Sequence, residues 1–74
     1  MKKLKRRHYQ WHHRKPRSLS GSNDASNLSH VSMVSHQNWH ALFRNFTPHK
    51  IAEIINETWL DADFEFVVCR RELK

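Results

Sequence analysis

The supply of staples constrains this chain most: one cysteine, Cys69, and seven histidines in 74 residues. A domain of this size buries only about 60% of the surface that its unfolded chain exposes. A content of 38% apolar residues does not make up the difference. Chains this short usually need a disulfide, a metal or a partner. A lone cysteine excludes an intramolecular disulfide and any cysteine-rich zinc finger, and it fits a reducing compartment. Imidazoles are left as the candidate staple.

Charge divides the chain unevenly. Residues 1–17 hold Lys2, Lys3, Lys5, Arg6, Arg7, Arg14, Lys15 and Arg17 and no acid, so they carry +8 of a net +6 and leave residues 18–74 at −2. A basic arm on a near-neutral body points to a polyanion, and the bland alternative is a solvated tail. Tyr9 and Trp11 inside the arm, with His12 and His13 directly behind, favour nucleic acid over an anionic membrane surface. No apolar stretch reaches the length of a membrane span or a signal-peptide core, so the sequence reads as soluble and cytoplasmic, with no membrane partner. It carries no signal of oligomeric state.

One α+β domain is expected, in three stretches. Residues 1–11 form the basic arm, leading into a first short strand around His8–His12. Residues 12–46 form the central module. Within it, residues 14–27 make a loop around the only glycine, Gly21, and Leu28–Val34 reads as a second short strand. Ser35 can cap a helix from His36 to Asn45, with Trp39, Leu42, Phe43 and Phe46 as its apolar stripe. Residues 47–74 restart with Thr47 as N-cap and Pro48 at the first helical position. That second helix runs to about Leu60, with Ile51, Ile54, Ile55 and Thr58 or Trp59 inward and Glu53 and Glu57 outward. Phe64–Cys69 is a β-prone tail that could pair with the first hairpin, with Cys69 as a buried hydrophobe.

Two groups of residues carry chemistry. His36 and His40 lie four apart on the expected helix, so their rings share a face and could chelate one ion; the bland reading is a polar edge beside Trp39. His12 and His13 are adjacent on an expected strand and project to opposite faces. One can ligate a metal while the other serves as a base, imidazole being the side chain whose ordinary pKa suits that role near neutrality. Between the groups stands Asn27, whose amide can hold a loop closed.

In order, His12-His13, Asn27, then His36 and His40 resemble the HNH (ββα-metal) endonuclease family, in particular its colicin-type nuclease domains. The loop Pro16-Arg17-Ser18-Leu19-Ser20-Gly21-Ser22-Asn23-Asp24-Ala25-Ser26-Asn27-Leu28 is similar to the family's Pro-Arg-Ser-x-Gly-Gly-x-x-Asp-x-x-Asn-Leu. It has Ser20-Gly21 where Gly-Gly is typical. The resemblance covers residues 8–46 and implies a ββα fold around one divalent transition-metal ion. It implies His12, His36 and His40 as ligands, His13 as general base, and Asn27 as the residue that tethers the loop and orients His13. Arg6 or Arg7 before the motif and Arg17 after it would clamp phosphates, with Arg14 and Lys15 beside them. Three imidazoles suit zinc or nickel better than magnesium, which prefers oxygen.

The expected activity is hydrolysis of nucleic-acid phosphodiester bonds, in DNA before RNA. The alternative from another class is a non-catalytic, metal-stabilised module that binds structured RNA, ribosomal RNA included. His8, His30 and His49 read as surface or capping residues. Tyr9 and Trp11 read equally as base-stacking or strand-packing residues.

Overall fold

A computed structural model describes residues 8–72. Its elements follow the order ββαα. Strand β1 (Tyr9–His13) and strand β2 (Leu28–Ser32) pair antiparallel, with Tyr9 opposite Ser32, Trp11 opposite His30 and His13 opposite Leu28. Helix α1 (Met33–Phe43) follows β2 without a linker and packs on one face of the hairpin. Helix α2 (Pro48–Ile54) continues into a wider π turn at Ile55–Trp59.

Helix α1 begins three residues earlier than expected. The Ser32 hydroxyl, not that of Ser35, is the cap, accepting from the Ser35 backbone N–H at 3.1 Å. The ladder decides this: Ser32 is the last residue of β2 with a partner on β1. The chain is therefore free to turn at once, and a hydroxyl there satisfies one of the unpaired N–H groups of the first turn. Val34, expected at the end of a strand, becomes an outward helical residue, 65% exposed. Thr47 caps α2 as its sequence suggests, accepting from the Lys50 N–H, with Pro48 in the first turn. Glu53 and Glu57 are exposed as expected, but so are Thr58 and Trp59, the latter at 61%, because among the described residues neither the hairpin nor a third strand reaches that side of the second helix.

Apolar burial is thin. Among the described residues Phe43 is the one buried hydrophobic side chain, and no side chain is fully enclosed. Trp39 lies against it, ring centroids 4.7 Å apart. Leu42, expected in the same stripe, is 44% exposed. A hairpin of two five-residue strands covers only part of a helix, and its contact falls on His36, Trp39 and His40 instead.

The expected C-terminal strand does not form. The sheet has two strands among the described residues, and Phe64–Cys69 lies outside it without regular structure. A local turn and a side-chain bridge from the second helix hold this segment. The Phe64 N–H donates to the Asp61 carbonyl, and the Asn56 carboxamide bonds both the N–H and the C=O of Phe66, at 2.8 and 2.9 Å. Cys69 is exposed, not buried, because the sheet that would have covered it is absent.

Candidate metal centre

Two short-range devices bring the histidines together. On β1, alternation turns His12 toward α1. On α1, one helical turn stacks His36 and His40. Ring centroids lie 5.2 Å apart for His12 and His36, 5.9 Å for His12 and His40, and 4.6 Å for His36 and His40. Each residue offers a ring nitrogen, and these three atoms lie within 4.8 Å of one another. His12, His36 and His40 are thus close enough to hold a metal ion.

The hydrogen bonds fit that task. His36 Nδ1 lies 2.6 Å from Gln10 Oε1. With the amide oxygen as acceptor, Nδ1 carries the proton and Nε2 is left as a lone pair aimed at the cluster. This is the usual outer-shell device that orients a ligating imidazole. Nε2 of His36 and Nε2 of His40 are 3.0 Å apart. Two nitrogens each ~2.0–2.1 Å from one tetrahedral ion lie about 3.3 Å apart, so the pair needs little movement.

The electrostatics agree. Burial, followed by the charges that His36, His40, His13 and Arg14 would place nearby, holds the His12 pKa below the ordinary imidazole value. Burial and then His40 do the same to His36. Both rings therefore favour the neutral form that a metal requires.

His13 lies beside the cluster but does not join it. Its Nε2 is 2.8 Å from Asn23 Oδ1. With that oxygen as acceptor, Nε2 holds the proton and Nδ1 is the free base. A cleft of about 220 Å³ is lined by His12, His13, His36, His40, Arg17 and Trp11 among others. It places a basic imidazole, a guanidinium and the three candidate ligands around one space. A second cavity, about 430 Å³, lies between hairpin and helix and is lined by His12, Arg14, Val31 and Trp39 among others.

Asn27 is the lock of the loop. Its Oδ1 accepts from the Lys15 N–H at 2.7 Å, while Nδ2 donates to the carbonyls of Lys15 (3.0 Å) and Ser22 (2.8 Å). It makes no hydrogen bond to the His13 ring itself. The ring's partner is Asn23, while Asn27 holds the backbone on both sides of the loop, at Lys15 two residues after His13 and at Ser22 beside Asn23. Ser20, standing where a glycine is typical, adopts the left-handed conformation, φ 70°. Gly21 is needed for space instead: a Cβ there would sit 1.7 Å from the Lys15 carbonyl oxygen.

The basic residues separate. Arg17 lines the smaller cleft and Arg14 the larger, with Arg14 Nη1 donating to the Ser26 carbonyl at 3.3 Å. Lys15 is exposed, its backbone held by Asn27. Arg6 and Arg7 lie outside the described residues. His30 stacks on Trp11 and tilts against Tyr9, with centroids 4.8 and 5.0 Å apart, on the hairpin face away from α1. Sequence reasoning missed Gln10 and Asn23. Gln10 had one available signal, its place two residues before His12 on the same strand face; Asn23 had none, since loop closure alone brings it to His13.

No protein-family model, curated protein or solved structure matches this chain. No helix among the described residues is long and apolar enough to cross a membrane.

Proposed function

We propose that this chain is a metal-dependent endonuclease of the HNH type, which hydrolyses phosphodiester bonds in nucleic acid, DNA in the first place. One observation carries the reading: His13, Arg17 and the His12–His36–His40 cluster open onto the same cleft. A cluster serving structure alone has no use for an imidazole with a free Nδ1 beside it.

His12, His36 and His40 would hold one divalent transition ion, zinc or nickel before magnesium given three nitrogen donors. When bound, such an ion supplies Lewis-acid polarisation of a phosphoryl oxygen. The chain's own residues do the rest. Arg17 binds a phosphate oxygen through its fork of N–H donors and fixes the strand in the cleft. His13 takes a proton from the attacking water at Nδ1 while Asn23 holds the opposite nitrogen. Hydrolysis leaves a 5′-phosphate and a 3′-hydroxyl. Gln10 keeps the His36 ring in its ligating tautomer, and Asn27 keeps the loop that bears Arg17 closed. Arg14 and Lys15 offer positive charge to flanking phosphates, and Arg6 and Arg7 add to the charge available for them.

A plasmid-nicking assay with zinc, nickel, manganese and magnesium, run beside chelated protein, tests the proposal. Nicking that requires metal and disappears in His13→Ala supports it; no nicking with any of the four ions refutes it. A second reading rests on a different observation. With Phe43 the one buried hydrophobic side chain among the described residues, an ion at the imidazoles has a structural task whether or not chemistry follows. In that case the chain is a metal-stabilised module that grips structured RNA, and metal-dependent binding without cleavage is its signature.

A further inference from the structure

We propose that the outer face of the hairpin takes an unpaired base of a nucleic-acid strand, stacked on the indole of Trp11. The proposal names the form of substrate for the cleft beside the imidazoles, and it rests on the nuclease reading only for which phosphate is cut. It begins from a ladder of rings on the hairpin face away from α1. His30 lies directly opposite Trp11 across the strands and stacks on it, with centroids 4.8 Å apart and planes 28° from parallel. The Tyr9 ring packs against the same imidazole at 5.0 Å. His30 is thereby held between two rings and fixes the plane of the indole. None of the three rings is buried, and Trp11 is 62% exposed. With one face of the indole against His30, an exposure of that size leaves the opposite face in water. A large apolar ring held still and left open is costly unless something covers it.

Placement and charge select the occupant. Trp11 also lines the cleft of about 220 Å³ that holds His13 and Arg17. Trp11 and His13 are alternate residues of β1, so they share a strand face about 6.8 Å apart, close to the length of one nucleotide. Residues 8–17 carry Arg14, Lys15 and Arg17 and no acid. An occupant that suits both features has anionic groups and flat ring faces in alternation, as a nucleic-acid strand does. An anionic membrane surface offers the charge without the rings.

The pairing state follows from geometry. Inside a duplex each base face is covered by its neighbours, and the grooves offer only base edges. A ring such as Trp11 meets a base face only where the strand is single or a base has left the helix. Arg17 then takes a phosphate and the adjoining base lies on the indole. Every base has a π-face, so the site selects unpaired nucleotides and not a sequence.

Fluorescence anisotropy of labelled DNA with the full, zinc-loaded chain tests this, in a His13→Ala background so that no probe is cut. The probes are a single strand, an abasic strand of the same length and charge, and a duplex. The single strand should bind about 5- to 150-fold tighter than the abasic one, the worth of one stacked base. Trp11→Ala should erase that difference, and Trp11→Phe should keep most of it. Neither should change duplex affinity, zinc stoichiometry or the salt slope, since no phosphate contact is lost. The abasic comparison uses the chain with Trp11 intact, so it decides the matter even if Trp11→Ala folds poorly. Equal affinity for the normal and abasic strands overturns the proposal. So does a Trp11→Ala loss that is equal on single strand, abasic strand and duplex, which would make Trp11 a packing residue. Binding to phosphatidylserine vesicles that falls in Trp11→Ala while single-strand binding holds would assign the face to a membrane and overturn it too. The assay reads binding alone: a wild type that never nicks removes the nuclease reading and leaves base-dependent binding standing, and loss of base dependence does the reverse.

Discussion

Removing metal should unfold most of this chain, and the size of the effect can be worked from its burial. Phe43 is the only buried hydrophobic side chain among the described residues, and fully burying one phenylalanine is worth about 1.5–3 kcal/mol. Ordering each backbone residue costs about 1–2 kcal/mol, so the apolar contribution is small against the entropy it opposes. An ion that binds only the folded state adds about 2.7 kcal/mol at 100-fold excess over its dissociation constant and about 4.1 at 1,000-fold. In a domain this small each kcal/mol moves the melting temperature by roughly 4–8 °C. Zinc in 100-fold excess should therefore raise it by roughly 10–20 °C over chelated protein, measured by circular dichroism or calorimetry. The pH dependence has a definite sign. His12 and His36 both titrate below the ordinary imidazole value of 6.5 in the folded chain, so the unfolded chain takes up protons first. Their contribution is complete above that value and is lost as pH falls through the lowered folded values. Protons also compete with the ion for the same nitrogens, so the zinc shift should shrink between about pH 7.5 and 5.5. Coincident melts with zinc and with excess chelator would refute this account.

His13→Ala should lower nicking by about 10²–10⁴, the usual cost of losing a positioned base, with metal stoichiometry intact by calorimetric titration; loss of metal in that variant would make His13 a ligand. Gln10→Leu should weaken zinc affinity by about 10–100-fold while all three imidazoles remain, because the His36 tautomer is no longer fixed; unchanged affinity would show that the 2.6 Å contact positions nothing. Ser20→Gly should stabilise the loop by about 1 kcal/mol, since Ser20 already holds the left-handed conformation that glycine adopts freely, whereas Gly21→Ala should destabilise through its clash with the Lys15 carbonyl; chemical denaturation that ranks the two variants the other way would overturn this reading of the loop.

The candidate ligands were legible because each rests on a short-range period. His36 and His40 needed only the helix, and His12 only the alternation of a strand. Boundaries were less legible. Ser32 and Ser35 are equally good caps in isolation, and the choice fell to the point where the β1–β2 ladder stops. The tail misled for a tertiary reason. Phe64–Cys69 has real β-propensity, but propensity does not supply a neighbouring strand, and the N–H and C=O of Phe66 are taken by Asn56 instead of a sheet. Gln10 offered only its place on the strand face of His12, and Asn23 offered nothing, because loop closure alone brings it to His13.

The loop shows how a chain with so little core can still place a site. His13 and Leu28 pair at the end of the ladder, and the Arg14 N–H donates to the Asn27 carbonyl at 2.7 Å, just beyond it. The intervening residues therefore leave and return at one point, and their closure does not depend on apolar packing. Asn27 completes the closure with one acceptor and two donated hydrogen bonds. Only a carboxamide can do this: a carboxylate would set negative oxygens against the carbonyls of Lys15 and Ser22, and an aliphatic side chain would leave three backbone groups without partners. Held this way, the loop delivers Arg17 to one side of the cleft and Asn23 to the ring of His13. The imidazole cluster forms the other side from β1 and α1. The two halves share only the short stretch of β1 at His12-His13, so that dipeptide is where the fold joins its candidate ligands to its candidate base.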